Sequence, residues 1–205
     1  MKLSCVSASY VMDLFGYPGH FDWDLAIEKI PQSPLLETLD SLLDRLALAK
    51  LDGIELWFPH VAPTNLTPAL ASAIRKRLAA RNMACCACAG GISDPSEDPY
   101  ACEEAFQVTQ LLGAPTIAGH LVASTVRQLG PFCARYAVHV AYENGSDKDA
   151  EEILAAIQGG SEWIGVAIDT GNMAAQGGDP VRAIRELGPK IIHVHFKDVP
   201  AVGAH

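Results

Sequence analysis

The sequence is short of positive charge. It carries 15 Lys and Arg against 24 Asp and Glu, a formal net charge of -9 over 205 residues. A protein that lives on phosphate backbones needs the opposite balance, so no nucleic-acid partner is expected. Long apolar runs are missing as well. Nothing approaches the ~18 consecutive apolar residues of a membrane span, and no membrane partner is expected. The opening residues, Met1-Lys2-Leu3-Ser4-Cys5-Val6, are too short and too weakly apolar for a signal peptide. Several motifs are absent too. No Gly-x-Gly-x-x-Gly follows the first β-rich run, and no Lys-Ser/Thr follows Gly90-Gly91, which disfavours dinucleotide and P-loop folds. There is no Gly-x-Ser-x-Gly, hence no nucleophile elbow. The six cysteines form no repeated Cys-x-x-Cys, and Cys85-Cys86-Ala87-Cys88 reads as small residues of a strand. Without an export signal, reduced thiols and a cytoplasmic location are expected.

What is present is a globular composition, 49% hydrophobic and 19% charged. No linker or shift of composition divides the chain, so residues 1–205 are read as one domain. Short β-rich runs recur at Leu3–Ala8, Ile54–Phe58, Ala84–Ala89, Pro115–Leu121, Ala137–Glu143, Ile164–Asp169 and Ile191–Lys197. Helical patterns stand between them at Leu35–Leu51, Pro68–Ala80, Pro99–Leu112, Asp147–Ile157 and Pro180–Leu187. Leu35, Leu39, Leu42, Leu43 and Leu46 repeat at the spacing of one helix face. Ser33-Pro34, Thr67-Pro68, Asp98-Pro99 and Asp179-Pro180 each place a capping side chain before a proline at the first helical position. Gly53, Gly113, Gly159 and Gly188 suit helix C-caps. Arg75-Lys76-Arg77 reads as a solvated helix face. Strand–helix alternation over the whole chain implies parallel strands with helical crossovers.

Three strands carry metal-type ligands on one face. Side chains alternate along a strand. Val138, Val140 and Tyr142 oppose His139, Ala141 and Glu143. Ile164, Val166 and Ile168 oppose Gly165, Ala167 and Asp169. Ile192, Val194 and Phe196 oppose His193, His195 and Lys197. The apolar faces suit packing under outer helices. The other faces end in Glu143, Asp169 and His195, which would converge at the C-terminal rim of a (β/α) barrel. Two carboxylates and an imidazole suit one divalent ion, Mn²⁺, Co²⁺, Mg²⁺ or Zn²⁺.

Tyr142-Glu143-Asn144, Asp169-Thr170-Gly171-Asn172 and His193-Val194-His195-Phe196-Lys197-Asp198 resemble signature segments of the xylose-isomerase-like TIM-barrel superfamily. Asp52-Gly53-Ile54-Glu55-Leu56 resembles its second-strand segment. The resemblance runs from the first strand to Asp198. It implies an α/β, TIM-type (β/α) barrel. It also implies a metal-dependent isomerase or epimerase of a sugar, sugar phosphate, polyol or keto acid, working by enediolate proton transfer. Glu143, Asp169 and His195 match three of the family's four metal ligands, and Glu143 is implied as general base. Asn172 stands where many members have a histidine. Glu55, His60 and His120 are read as rim residues, and Lys197 either as a substrate contact or as a partner of Asp198; Trp57 and Phe58 suit a sugar pocket or the core. The family's fourth ligand, a glutamate on an eighth strand, has no counterpart before His205. Seven strands are therefore expected, with half of the proton relay missing and an open edge that favours a homo-oligomer. The alternatives are a catalytically impaired binding or regulatory protein on this scaffold, or a phosphodiesterase like the endonuclease IV branch. The long aromatic-rich connection Ser9–Ser33 (Tyr10, Phe15, Tyr17, Phe21, Trp23) is read as a lid.

Overall fold

The computed structural model describes residues 2–16 and 22–199. They contain strands β1 (Ser4–Val6), β2 (Gly53–Trp57), β3 (Ala84–Ala89), β4 (Thr116–Gly119), β5 (His139–Glu143), β6 (Ile164–Asp169) and β7 (Ile191–His195). The helices are α1 (Val11–Phe15), α2 (Trp23–Lys29), α3 (Leu35–Leu48), α4 (Pro68–Ala79) and α5 (Pro99–Leu112), followed by α6 (Ala123–Gln128), α7 (Gly130–Tyr136), α8 (Ala150–Ala156), α9 (Thr170–Ala175) and α10 (Pro180–Leu187). None of these helices is long and apolar enough to cross a membrane. The chain forms two compact units, Met1–Ala89 with Gln107–Pro115, and Gly90–Phe106 with Thr116–His205.

In the first unit β2 pairs in parallel with β1 and β3. Leu39, Leu42, Leu43 and Leu46 of α3 are buried against Ile54 and Leu56 of β2 and Ile74 and Leu78 of α4. That is the face the leucine spacing predicts, and each such buried side chain contributes roughly 1.5–3 kcal/mol. Thr67 caps α4 by accepting the Leu70 N–H at 3.1 Å. Gly53 is not a C-cap. It opens β2, where an added Cβ would sit 2.3 Å from the Ala84 carbonyl oxygen, so the strands approach there only without a side chain. The α3 helix is ended instead by Lys50, at φ 58°. Nor does Ser33 cap it: Pro34 holds that position and makes no side-chain bond.

The described part of the Ser9–Ser33 connection holds α1 and α2, and Val11, Ala26 and Ile30 form a small buried cluster with Phe15 and Trp57 packed against it. Asp22 caps α2 by accepting from the N–H groups of Asp24 and Leu25. Tyr17 and Phe21 lie outside the described residues.

In the second unit β4, β5, β6 and β7 pair in parallel in chain order. Val138, Val140, Tyr142, Ile164, Val166 and Ile168 are all buried. On the opposite face Ala118, Ala141 and Ala167 touch one another. These small residues let the strand ends come together. The β7 strand departs from the expected pattern. Its face of Ile192 and Val194, with Phe196 just beyond the strand, is exposed (42%, 45% and 89%) rather than packed under a helix, since among the described residues no helix follows β7. Three helices, α6, α7 and α9, fall outside the helical patterns read from the sequence; α7 has a proline in its first turn, Pro131, but no capping side chain before it.

Candidate metal centre

Each strand from β5 to β7 ends on a ligand-type residue: Glu143, Asp169 and His195 are the last residues of their strands. Parallel pairing brings these three ends to the same side. Register does the rest, since Asp169 pairs with His195 and Glu143 with Ala167. One donor atom from each of the three lies within 4.8 Å of the others. His195 Nδ1 is 2.7 Å from Glu143 Oε1 and 4.0 Å from Asp169 Oδ2. All three side chains are nearly inaccessible, at 10%, 0% and 11% for Glu143, Asp169 and His195.

The two oxygens of Asp169 have different tasks. Oδ1 accepts the Asn172 N–H at 2.8 Å and so caps α9. Oδ2 receives no aligned hydrogen bond, but the Lys197 ammonium meets it as an ion pair. Burial alone would push this carboxyl up. The Lys197 ammonium and the Asn172 N–H outweigh burial, and the pKa lies below the usual carboxylate value. Asp169 is therefore an anion with its free oxygen turned toward positive charge.

A polar lattice fixes the strand ends. The Asn144 side chain accepts the Asp169 N–H at 2.6 Å and donates to the Asp169 carbonyl at 3.1 Å, as another backbone strand would. Asn172 Nδ2 donates to the Asn144 carbonyl at 3.1 Å. Thr170 Oγ1 accepts the Lys197 N–H at 3.0 Å and donates to its carbonyl at 3.1 Å. Asn144 is fully buried, and Thr170 is 8% exposed. Neither was singled out from the sequence. The signal available was their position, one residue beyond a strand-terminal carboxylate.

His120 joins the group from the end of β4. Its Nδ1 is 3.1 Å from the Glu143 carbonyl oxygen, which only accepts, so that nitrogen carries the proton. Its Nε2 then faces Glu143 Oε2 at 3.9 Å, and the ring is 61% exposed. The structure thus brings Glu143, Asp169, His195, His120, Asn172 and Lys197 together. Glu55 and His60 belong to the first unit. Glu55 is buried in β2. His60 follows β2, its Nδ1 3.0 Å from Ser7 Oγ, and burial pushes its pKa down to about 4. Trp57 packs edge-on against Trp23 and His60. The cysteines are all free thiols, and burial pushes Cys102 up to about 11 and Cys133 up to about 12, which leaves them unreactive.

Two carboxylates and an imidazole at this spacing fit a divalent cation. The buried Asp169 Oδ2, with no aligned hydrogen bond and an ammonium beside it, is a position where positive charge is accommodated.

A family model described as a xylose isomerase-like TIM barrel matches residues 43–205. Solved structures are similar to the chain as well. A xylose isomerase domain protein from Planctomyces limnophilus is 20% identical with a TM-score of 0.65, over 78% of this chain and 71% of that one. A sugar phosphate isomerase/epimerase from Parabacteroides distasonis is 13% identical with a TM-score of 0.66, over 80% and 71%. A xylose isomerase-like TIM barrel protein from Mycobacterium smegmatis, solved in complex with magnesium, is 15% identical with a TM-score of 0.67, over 96% and 74%. No curated protein matches the chain by sequence.

Proposed function

The chain belongs to the xylose isomerase-like TIM barrel family, an α/β fold of the TIM type, and on that premise we propose that it is a divalent-metal-dependent isomerase or epimerase of a sugar-like substrate. One observation carries the reading: Glu143, Asp169 and His195 end three adjacent parallel strands with donor atoms within 4.8 Å of one another. The names of two similar structures, a sugar phosphate isomerase/epimerase and a magnesium complex, point the same way.

Glu143, Asp169 and His195 would hold the ion. When bound, it would polarise neighbouring carbonyl and hydroxyl oxygens of the substrate and acidify the C–H between them. Glu143 is the general base. Its Oε1 is engaged by His195, while Oε2 faces the exposed His120 ring, the side open to a substrate. A carboxylate there takes the proton from the carbon beside the carbonyl. His120 Nε2, on the exposed side of the ring, orients a substrate hydroxyl by hydrogen bonding to it. Asn172 and Lys197 stand next to Asp169 and contact substrate oxygens. Asn144 holds the β5 and β6 ends in register.

The test is turnover of a panel of ketoses and their phosphates with Mn²⁺ present. Glu143→Gln keeps the shape but removes the base, and activity should fall by at least the ~10²–10⁴-fold that general-base catalysis contributes. Unchanged turnover would remove Glu143 from the reaction. A chain that takes up Mn²⁺ but turns over none of the panel would instead favour a binding protein on the same scaffold.

A further inference from the structure

A fully buried carboxylate is costly unless a positive group compensates it. At Asp169 that group comes from this chain. Oδ1 is committed to the Asn172 N–H, so Oδ2 is the oxygen left for any cation, and Lys197 Nζ meets it. The backbone of Lys197 is clamped to Thr170 through both its N–H and its carbonyl. Its side chain is not clamped, being 49% exposed. Gly171 makes room for the stem, since a Cβ there would lie 2.7 Å from Lys197 Cβ and 3.4 Å from Asp169 Oδ1. The ammonium therefore reaches Oδ2 from the solvent side, on a flexible stem anchored at its root.

We propose that Lys197 is a resident counter-ion that competes with a divalent metal for Asp169 Oδ2. The inference rests on the metal reading of this site. A divalent ion bound to Oδ2 brings twice the charge to the place the ammonium holds, and the two repel strongly in a poorly solvated pocket. Metal entry thus requires Lys197 to swing outward, which its exposure and its compact, well-hydrated head allow. In the metal-free protein the buried Asp169 carboxylate thus keeps a compensating charge. The liberated ammonium stays tethered at the mouth of the site, where it meets an anionic or hydroxyl-rich substrate only after the metal is in place.

The experiment uses the full chain with MnCl₂ alone, free Mn²⁺ being followed by electron paramagnetic resonance, and thermal melts of the metal-free proteins alongside. Lys197→Met should bind Mn²⁺ at least about tenfold more tightly than wild type, because a competitor and a like charge are both gone. Its metal-free melting temperature should fall, and Mn²⁺ should raise it by more than in wild type. Lys197→Arg keeps the cation and should bind no more tightly than wild type. Equal or weaker binding by Lys197→Met, with a native circular dichroism spectrum, would overturn the competition while leaving the metal reading in place. Absence of Mn²⁺ uptake by wild type and Lys197→Met alike would overturn the metal reading and the competition with it.

Discussion

The two units finish their strands in different ways. In the first, β2 runs out into Trp57 and His60, and the polar groups there satisfy one another. Ser7 Oγ accepts the Trp57 N–H at 2.9 Å and lies 3.0 Å from His60 Nδ1. Burial keeps the His60 imidazole neutral. In the second, β5, β6 and β7 run out into two carboxylates and an imidazole whose anionic charge needs an opposing charge. Both ends are largely buried and both contain histidine, so burial and residue type do not distinguish them. The difference lies in charge balance. Neutral hydrogen bonds join Ser7, Trp57 and His60, whereas Asp169 at the second end meets a cation, Lys197.

The contrast breaks most directly at Asn144. Asn144→Ala would leave the buried N–H and carbonyl of Asp169 unsatisfied and a hole beneath them, at a cost of about 3 kcal/mol. Urea unfolding measures the loss. Mn²⁺ affinity should fall with it, because Asp169 would no longer be held in register with Glu143. Asn144→Asp restores the acceptor for the Asp169 N–H and should recover part of the stability. An effect on stability with no change in Mn²⁺ affinity would make Asn144 a packing residue alone.

The first unit is sharpened by pH. His60 has its pKa lowered from 6.5 to about 4 in the folded chain. The unfolded chain takes up this proton near pH 6.5 and the folded chain resists it until about pH 4. The stabilisation is therefore complete above pH 6.5 and is lost as pH falls through that window. With allowance for partial solvent access the loss is about 2 kcal/mol. His60→Gln should flatten this part of the stability–pH profile, and an identical slope in both proteins would contradict the neutral, buried state of His60.

The sequence made β5 and β6 legible because side-chain size alternates strictly: bulky apolar residues at Val138, Val140, Tyr142, Ile164, Val166 and Ile168 stand opposite Ala141, Gly165 and Ala167. The helix starts at Thr67, Asp98 and Asp179 were legible for an equally local reason, a capping side chain followed by proline. What was not legible depends on tertiary contact. The α9 helix opens with Thr170, Gly171 and Asn172, poor helix formers, and is capped by Asp169. The α1 and α2 helices are too short for a clear periodicity and are held by the cluster around Val11 and Ile30. The Asn144 bridge requires the β5–β6 register, which no single strand encodes. Lys197 was visible as a neighbour of the ligands, but its pairing with Asp169 rather than Asp198 emerges only when β6 and β7 are side by side.

The central claim is that the ends of β5, β6 and β7 form a cation site. It is tested most directly by titrating Mn²⁺ into the metal-stripped full chain while measuring the free ion. A single saturable site is expected. Glu143→Gln and Asp169→Asn should each weaken it by more than the ~10–100-fold that loss of an outer-shell partner costs. Uptake of Mn²⁺ that neither substitution changes would place the ion elsewhere and contradict the account.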